Sequence, residues 1–311
     1  MRFLLHAWRC LSGEIPRNGD LTPMRVLSSR TARQNYGECR MRNALLWLFF
    51  CSSQLLYAQS LQPPPPSNMK VLGLIGGTSW YSTVDYYEYL NRAVNDAYRN
   101  NTNPPLILYN MNQQKIHDLQ AANDWEGIAA LYTEAARRLR ASGAQGIVFC
   151  ANTPHKVYVD VARKVDIPIL HIADATGVAI KKAGLKKVGI IGTLYTMQDG
   201  FIRGWLKDHY GIASITPASE ESQRELHRII HQELQLGLFK PASRKYVLQQ
   251  IEELRKRGAE GIVLACTEFP LIIRPEDVSV PVFDTTLLHS QMAVDFILGK
   301  PGIAEVRRRP R

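Results

Sequence analysis

Two short stretches of this chain hold a cysteine among residues able to act with it. Residues 149–156 read FCANTPHK and residues 264–270 read LACTEFP. Cys266 ends an apolar run and enters Thr267-Glu268-Phe269-Pro270, which reads as a helix start or a turn. A thiol beside the free N–H groups of a helix start is held towards its thiolate, the form that takes and returns protons. The plainer alternative is a second buried core cysteine. Cys150 lies one place earlier relative to its own turn, and as a small buried hydrophobe it needs no chemistry.

The elements that carry these residues repeat. KVLGLIGGTS (70–79) opens a strand-glycine-helix unit, and KVGIIGT (187–193) opens another. Gly73 and Gly76 recur as Gly189 and Gly192. LRASGAQGIVFCA (139–151) recurs as LRKRGAEGIVLAC (254–266), and IPIL (167–170) as VPVF (280–283). Helical spacing fills the gaps. Trp125, Ile128, Tyr132, Ala135 and Leu139 mark a helix over 124–142, capped by Asn123 or Asp124 and ended by Gly143. Val247, Ile251 and Leu254 mark another over 241–257, ended by Gly258. Helices alternating with strands predict parallel sheets with ligands at the strand carboxyl ends. The fold class expected is therefore α/β, as two doubly wound halves related by a pseudo-twofold, with the active site in the cleft between them. The first half covers 69–173, completed by a C-terminal helix at 285–299, the second covers 174–284, and a basic tail covers 300–311.

The repeat has a register. Cys150 aligns with Ala265, and Ala151 with Cys266. Adjacent strand residues face opposite ways. If Cys266 points into the cleft, Ala151 faces it from the other half and Cys150 faces the core. Asn152-Thr153-Pro154, with Asn or Thr as cap and Pro at the first helical position, is a good helix start whose N–H groups and hydroxyl suit a carboxylate.

The bulk numbers agree with a small-molecule protein. The 311 residues carry a net charge of +10, which alone would point to nucleic acid. Eight Arg against three acids in residues 1–58, with Arg307, Arg308, Arg309 and Arg311, account for nearly all of it. The body is close to neutral, which argues against a nucleic-acid face. Of five cysteines only Cys150 and Cys266 lie in the body, too few for a disulfide scaffold, and no Cys/His spacing matches a zinc site. Residues 41–58, MRNALLWLFFCSSQLLYA, have the basic start, short apolar core and small-residue exit of a signal peptide, with Met41 as a candidate start. The apolar run is too short and interrupted for a stable membrane span. Residues 63–66 are a polyproline spacer. A periplasmic or secreted location follows, or a cytoplasmic one if the leader is not a signal.

Longer stretches carry a resemblance: GLIGGTSWYST (73–83), GAQGIVFCANTPHKV (143–157), LHIADATG (170–177), GTLYTMQDGFIRG (192–204), GAEGIVLACTE (258–268) and PVFDTTLLH (281–289). In this order they resemble the aspartate/glutamate racemase family, nearest the L-aspartate/glutamate-specific racemases of enteric bacteria, over 69–298. The resemblance implies two α/β halves around a small amino acid, no cofactor, and acid–base groups on both sides of the substrate α-carbon. It also implies that the glycine-rich start lies beside the amino-acid pocket and binds no dinucleotide. The family's second thiol position corresponds to Cys266. Its first position, a cysteine in most members and a threonine in the enteric relatives, is Ala151 here. An alanine has no proton to exchange, so the opposite face needs water, a neighbour such as Thr78, Ser79, Asn152 or His155, or one-sided chemistry.

The reading is a cofactor-independent amino-acid racemase of aspartate or glutamate with Cys266 as thiol base. The alternatives are an exported acidic amino-acid binding protein without turnover, and a single-thiol decarboxylase or isomerase. Asn152, Thr153 and Thr267 are expected to touch substrate, and Thr78 and Ser79 either do so or cap a helix, as do Ser82 and Thr83. Arg203 is the candidate cation for a side-chain carboxylate. Trp80 and Tyr81 are candidates for the pocket wall. Glu268 either orients the thiol or is a helix-start acid. His155 is read as a surface or supporting residue. His227 and His231, four apart, lack a third metal ligand and are read as ordinary. A homodimer stays open.

Overall fold

The computed structural model describes residues 69–300. The expected signal peptide, the polyproline spacer and the tail from residue 301 lie outside the described residues. Among these residues no helix is long and apolar enough to cross a membrane.

Four parallel strands form each of two sheets. In the first they are β1 (Leu72–Gly76), β2 (Leu106–Asn110), β3 (Gly146–Phe149) and β4 (Ile169–Leu170), in the order β2-β1-β3-β4. In the second they are β5 (Lys187–Gly192), β6 (Ala213–Ile215), β7 (Gly261–Ala265) and β8 (Val282–Asp284), in the matching order β6-β5-β7-β8. The register repeats as well: Gly73 pairs with Ile147, and Gly189 with Ile262. The helices are α1 (Trp80–Tyr98), α2 (Gln113–Ala121), α3 (Trp125–Ala141), α4 (Tyr158–Ala162), α5 (Ile172–Lys182), α6 (Leu194–Gln198), α7 (Gly200–Tyr210), α8 (Glu220–Gln232), α9 (Pro241–Lys256) and α10 (Thr285–Ile297). The doubly wound α/β class is thus present in both halves.

Strand alternation decides what each sheet face holds. In the first sheet Ile75, Ile147 and Phe149 face α3, packing on Ile128, Tyr132, Ala135 and Leu139. The other face, with Leu72, Leu74, Val148 and Cys150, is covered by Tyr86, Leu90 and Val94 of α1 and by Ala293, Val294, Phe296 and Ile297 of α10. Thus the last helix of the chain covers the first sheet. Gly146 makes room for it, since a Cβ there would lie 2.4 Å from the Phe296 ring. In the second sheet one face takes Ile191, Ile262 and Leu264 against α8 and α9, and the other takes Val188, Ile190 and Val263 against α5 and α7.

Local signals explain the helix limits. The Asp124 carboxylate accepts from Gly127 N at 2.7 Å and caps α3. Gly143, at φ 100°, follows its end, and Gly258, at φ 89°, follows α9. Gly77 turns the chain out of β1 with φ 84°, where a side chain would also strike the Met111 carbonyl.

Candidate active site

The carboxyl ends of β1, β3, β5 and β7 meet at one narrow cavity of about 30 Å³. Ala151 and Cys266 line it from opposite halves, each one residue beyond the matched pair Cys150 and Ala265. Cys150 does not line it. Its side chain lies in the core beside Leu74 and Val148, and burial pushes its thiol far above the ordinary range. Alternation at the strand end therefore separates the two cysteines as the repeat register predicts.

Cys266 is buried, with 5% of the residue exposed. Its Sγ donates to Glu268 Oε2 at 2.9 Å, and Thr267 Oγ1 donates to the same oxygen at 2.9 Å. Burial, then the Glu268 charge, then this hydrogen bond push the Cys266 thiol well above its usual value. Backbone N–H groups of Thr267 and Glu268 pull it the other way and are outweighed. This corrects the expectation of a helix-favoured thiolate. The turn at Phe269–Leu271 is only three residues of 3₁₀ helix, too short for much of a dipole. At rest the sulfur holds its proton, and Glu268 stands where that proton can go.

The first half contributes Thr78, Ser79, Asn152 and Thr153 to the cavity. Ser79 is the N-cap residue of α1 but makes no capping bond, and its buried Oγ has no partner among the described residues. Thr83 Oγ1 holds that turn instead, accepting from Gly77 N and donating to Ser79 O, each at 3.0 Å. Ser82 donates to the Cys150 carbonyl, and Thr78 Oγ1 pairs with Tyr132 OH. Asn152 does not cap the 3₁₀ turn Thr153–Val157, a second correction. Its Nδ2 donates to Thr285 Oγ1 at 2.9 Å, and Thr285 donates to Leu264 O at 2.9 Å. The Asn152 Oδ1 is left buried and unpartnered among the described residues. Thr153 Oγ1 meets Thr193 Oγ1 across the cleft at 3.1 Å, and Thr193 meets Thr196 at 3.0 Å.

His155 is buried, not on a surface. Its Nε2 accepts from Ile172 N at 3.2 Å, so the proton sits on Nδ1, which donates to Ala151 O at 3.1 Å and Asn152 O at 3.3 Å. Burial pushes its pKa down to about 4. Both nitrogens serve the backbone, so His155 fixes the loop bearing Ala151 and does not act as a base.

Arg203 is a further correction. It does not line the cavity, and its Nη1 donates to Met197 O at 3.2 Å within the second half. Trp80 is also outside the cavity. It is 51% exposed, stacks on Tyr81, and edges a separate shallow groove with Val84 and Leu108. In the wall stand residues the sequence reading passed over: His117, Gln120, Thr193, Tyr195 and Gln235, along with His231. The helix following the second strand of each half, α2 after β2 and α8 after β6, supplies His117 and His231. Extending the repeat to a third element would have drawn attention to them. Among the described residues no group of three or more His, Cys, Asp or Glu side chains is placed to hold a metal.

The matched sheets and the shared cleft define a two-half α/β enzyme fold, and known proteins of this form agree. Residues 75–293 match the Asp/Glu/hydantoin racemase family model, and the chain belongs to that family. It is 44% identical to a Yersinia pestis protein assigned as an Asp/Glu racemase, covering 74% of this chain and 100% of that one at a TM-score of 0.70. An aspartate racemase homologue from Pyrococcus horikoshii OT3 is 36% identical, covering 75% and 100% at a TM-score of 0.65. The broad specificity amino-acid racemase RacX of Bacillus subtilis is 22% identical over 238 residues, 73% of this chain and 98% of that protein. The family makes this chain an amino-acid racemase, an isomerase acting on a small amino acid.

Proposed function

We propose that the protein inverts the α-carbon of an amino acid, without a cofactor, through the single thiol Cys266. The observation that carries this reading is the placement of Cys266 and Ala151 on opposite walls of one cavity. Glu268 takes the Cys266 proton, and the thiolate then removes the α-proton from one face. The resulting carbanion is reprotonated on the other face by water beside the Ala151 methyl group. The hydroxide left behind takes the proton held by Glu268, through solvent, so Cys266 ends protonated, Glu268 ionised and the water restored. Asn152 Oδ1, an acceptor, suits the substrate ammonium group, while Ser79 Oγ and Thr153 Oγ1 can donate to its α-carboxylate. Thr267 orients the Glu268 oxygen that receives the proton. A cavity of about 30 Å³ holds little more than a water, so the walls part to admit an amino acid.

Solvent deuterium incorporation at Cα, measured across a panel of amino acids, tests the reading. The wild type should exchange and Cys266→Ala should not. Exchange that survives in Cys266→Ala removes the thiol from the mechanism. Binding of both enantiomers without any exchange would instead favour a binding protein, the reading that a methyl group at position 151 keeps in play. We further propose export of the chain on the strength of residues 41–58, and N-terminal sequencing of material from the cell envelope or medium checks it.

A further inference from the structure

The end of the cavity beyond the reacting atoms carries no fixed positive charge. Its lining includes one carboxylate, Glu268, and neither Lys nor Arg. Lys156 sits 5.7 Å over the Tyr195 ring but is paired with Asp199 at 2.7 Å and does not line the cavity. A substrate carboxylate placed here would be an unpaired buried charge beside Glu268, which is costly. Three histidines meet at this end. His117 and His231 line the cavity with ring centroids 5.2 Å apart, and His227 stands 4.3 Å behind His231. His231 Nε2 is buried and has no hydrogen-bond partner among the described residues. His227 is already committed, its Nδ1 accepting from Leu194 N at 3.2 Å.

We infer that an acidic substrate side chain is recognised by proton uptake: the His231–His117 pair takes one proton as the carboxylate binds, in place of a resident Lys or Arg. This rests on the reading of the cleft as an amino-acid site and names the substrate class that site takes. In the free protein both rings are biased towards the neutral form. Burial, then His227 and His117, push His231 down to about 3, against a hydrogen bond with Gln235 that pulls it up. Burial also lowers His117 and His227. Facing groups act in both directions: Asp118 and Glu268 favour a proton on His117, and His117 disfavours one on His227. Gln235 completes the wall with its amide towards Glu268 Oε1 at 3.5 Å. A bound carboxylate supplies the missing counter-charge and raises the histidine pKa. Mutual repulsion among three rings limits the uptake to one proton. Between the free and bound pKa values, affinity then falls by up to tenfold per pH unit as pH rises. An amide side chain has no such dependence, because it asks only for neutral donors and acceptors.

Calorimetry tests this with glutamate and glutamine, both enantiomers, on the full chain at pH 6, in buffers of different ionisation enthalpy. Wild type should take up about one proton more with glutamate than with glutamine. His231→Gln should lower the glutamate-to-glutamine affinity ratio at least tenfold and abolish the extra proton. His231→Lys should bind glutamate with no extra proton and a flat pH profile. Asp85, whose pKa is raised to about 6 by burial, Asp284, Glu268 and Glu88, is the rival acceptor. An extra proton that persists in both His231 variants and is lost in Asp85→Asn would assign it to Asp85 and overturn the inference, whereas its loss in His117→Gln would keep it on the other ring of the pair and support it. Glutamate binding without an extra proton in wild type, or no glutamate binding where glutamine binds, would overturn it as well. If Cα exchange proceeds under either of these results, only the histidine inference falls. If no amino acid of the panel, aspartate included, binds or exchanges, the racemase reading falls with it.

Discussion

The two halves of this molecule share strand order, register and glycine placement, yet their strand ends carry different chemistry. Beyond β7 stands Cys266, with Glu268 positioned to accept its proton. Beyond β3 the equivalent place holds Ala151, whose carbonyl is pinned by His155 while its side chain offers only a methyl group. The scaffold is duplicated, and in the proposed reaction the acid–base groups are not. Symmetry of fold therefore fixes where a reacting group would stand, and side-chain identity alone decides whether one is there.

The largest break in that comparison is expected at the sulfurs. Cys266→Ala should lower Cα exchange by about 10²–10⁴-fold, the usual worth of a positioned proton-transfer group. Cys150→Ala should leave the exchange rate within about twofold and cost about 1 kcal/mol of stability in denaturant titration, as a small core truncation does. Equal loss from both would mean that the strand-end register does not separate their roles.

Glu268→Gln sharpens the active side. Without the carboxylate, the Cys266 thiol loses the like charge that helps to hold its pKa up. The rising limb of the rate profile should move to lower pH, because less base is then needed to form the thiolate. The maximal rate should nevertheless fall by about 10- to 100-fold if Glu268 carries the proton away. A shifted limb with an unchanged maximum would leave Glu268 as an electrostatic neighbour only.

The mirror-image change is Ala151→Cys, with Ala151→Thr as its milder form. Filling the empty side should raise racemisation by about tenfold relative to one-sided exchange, read as the ratio of polarimetric to deuterium rates. The smallest effect is expected from Arg203→Gln. Arg203 contacts Met197 O and not the cavity, so the aspartate and glutamate KM values should change by less than about twofold, as for a residue outside the site.

Much of this arrangement could be read from the chain itself. The 115-residue offset of Gly143 and Gly258, the apolar β3 and β7, and the glycine-ended helices α3 and α9 announce the duplication and its register. The placement of Ala151 and Cys266 relative to Cys150 follows from strand alternation, which is a local rule. The distal wall was not readable in the same way. His117 and His231 sit on α2 and α8, 114 residues apart, and although the repeat offset links them, they converge only because the two halves face each other. Arg203 erred for the same reason. Its charge made it the candidate cation for a side-chain carboxylate, but its helix turns the guanidinium back into its own half, where Nη1 meets Met197 O. The protonation of Cys266 depends on how deeply the turn is buried, and that sum over neighbours is not written in the spacing of a motif.

The return of α10 to the first sheet sets the order in which the chain can be completed. Leu72, Leu74 and Val148 are synthesised early, yet Val294, Phe296 and Ile297, which cover them, emerge last. During translation the earlier sheet waits with one greasy side covered by α1 alone while the later sheet already has its helices. A nascent chain stalled before Thr285 would be a natural client for a holdase chaperone, and the half begun first is the half finished last.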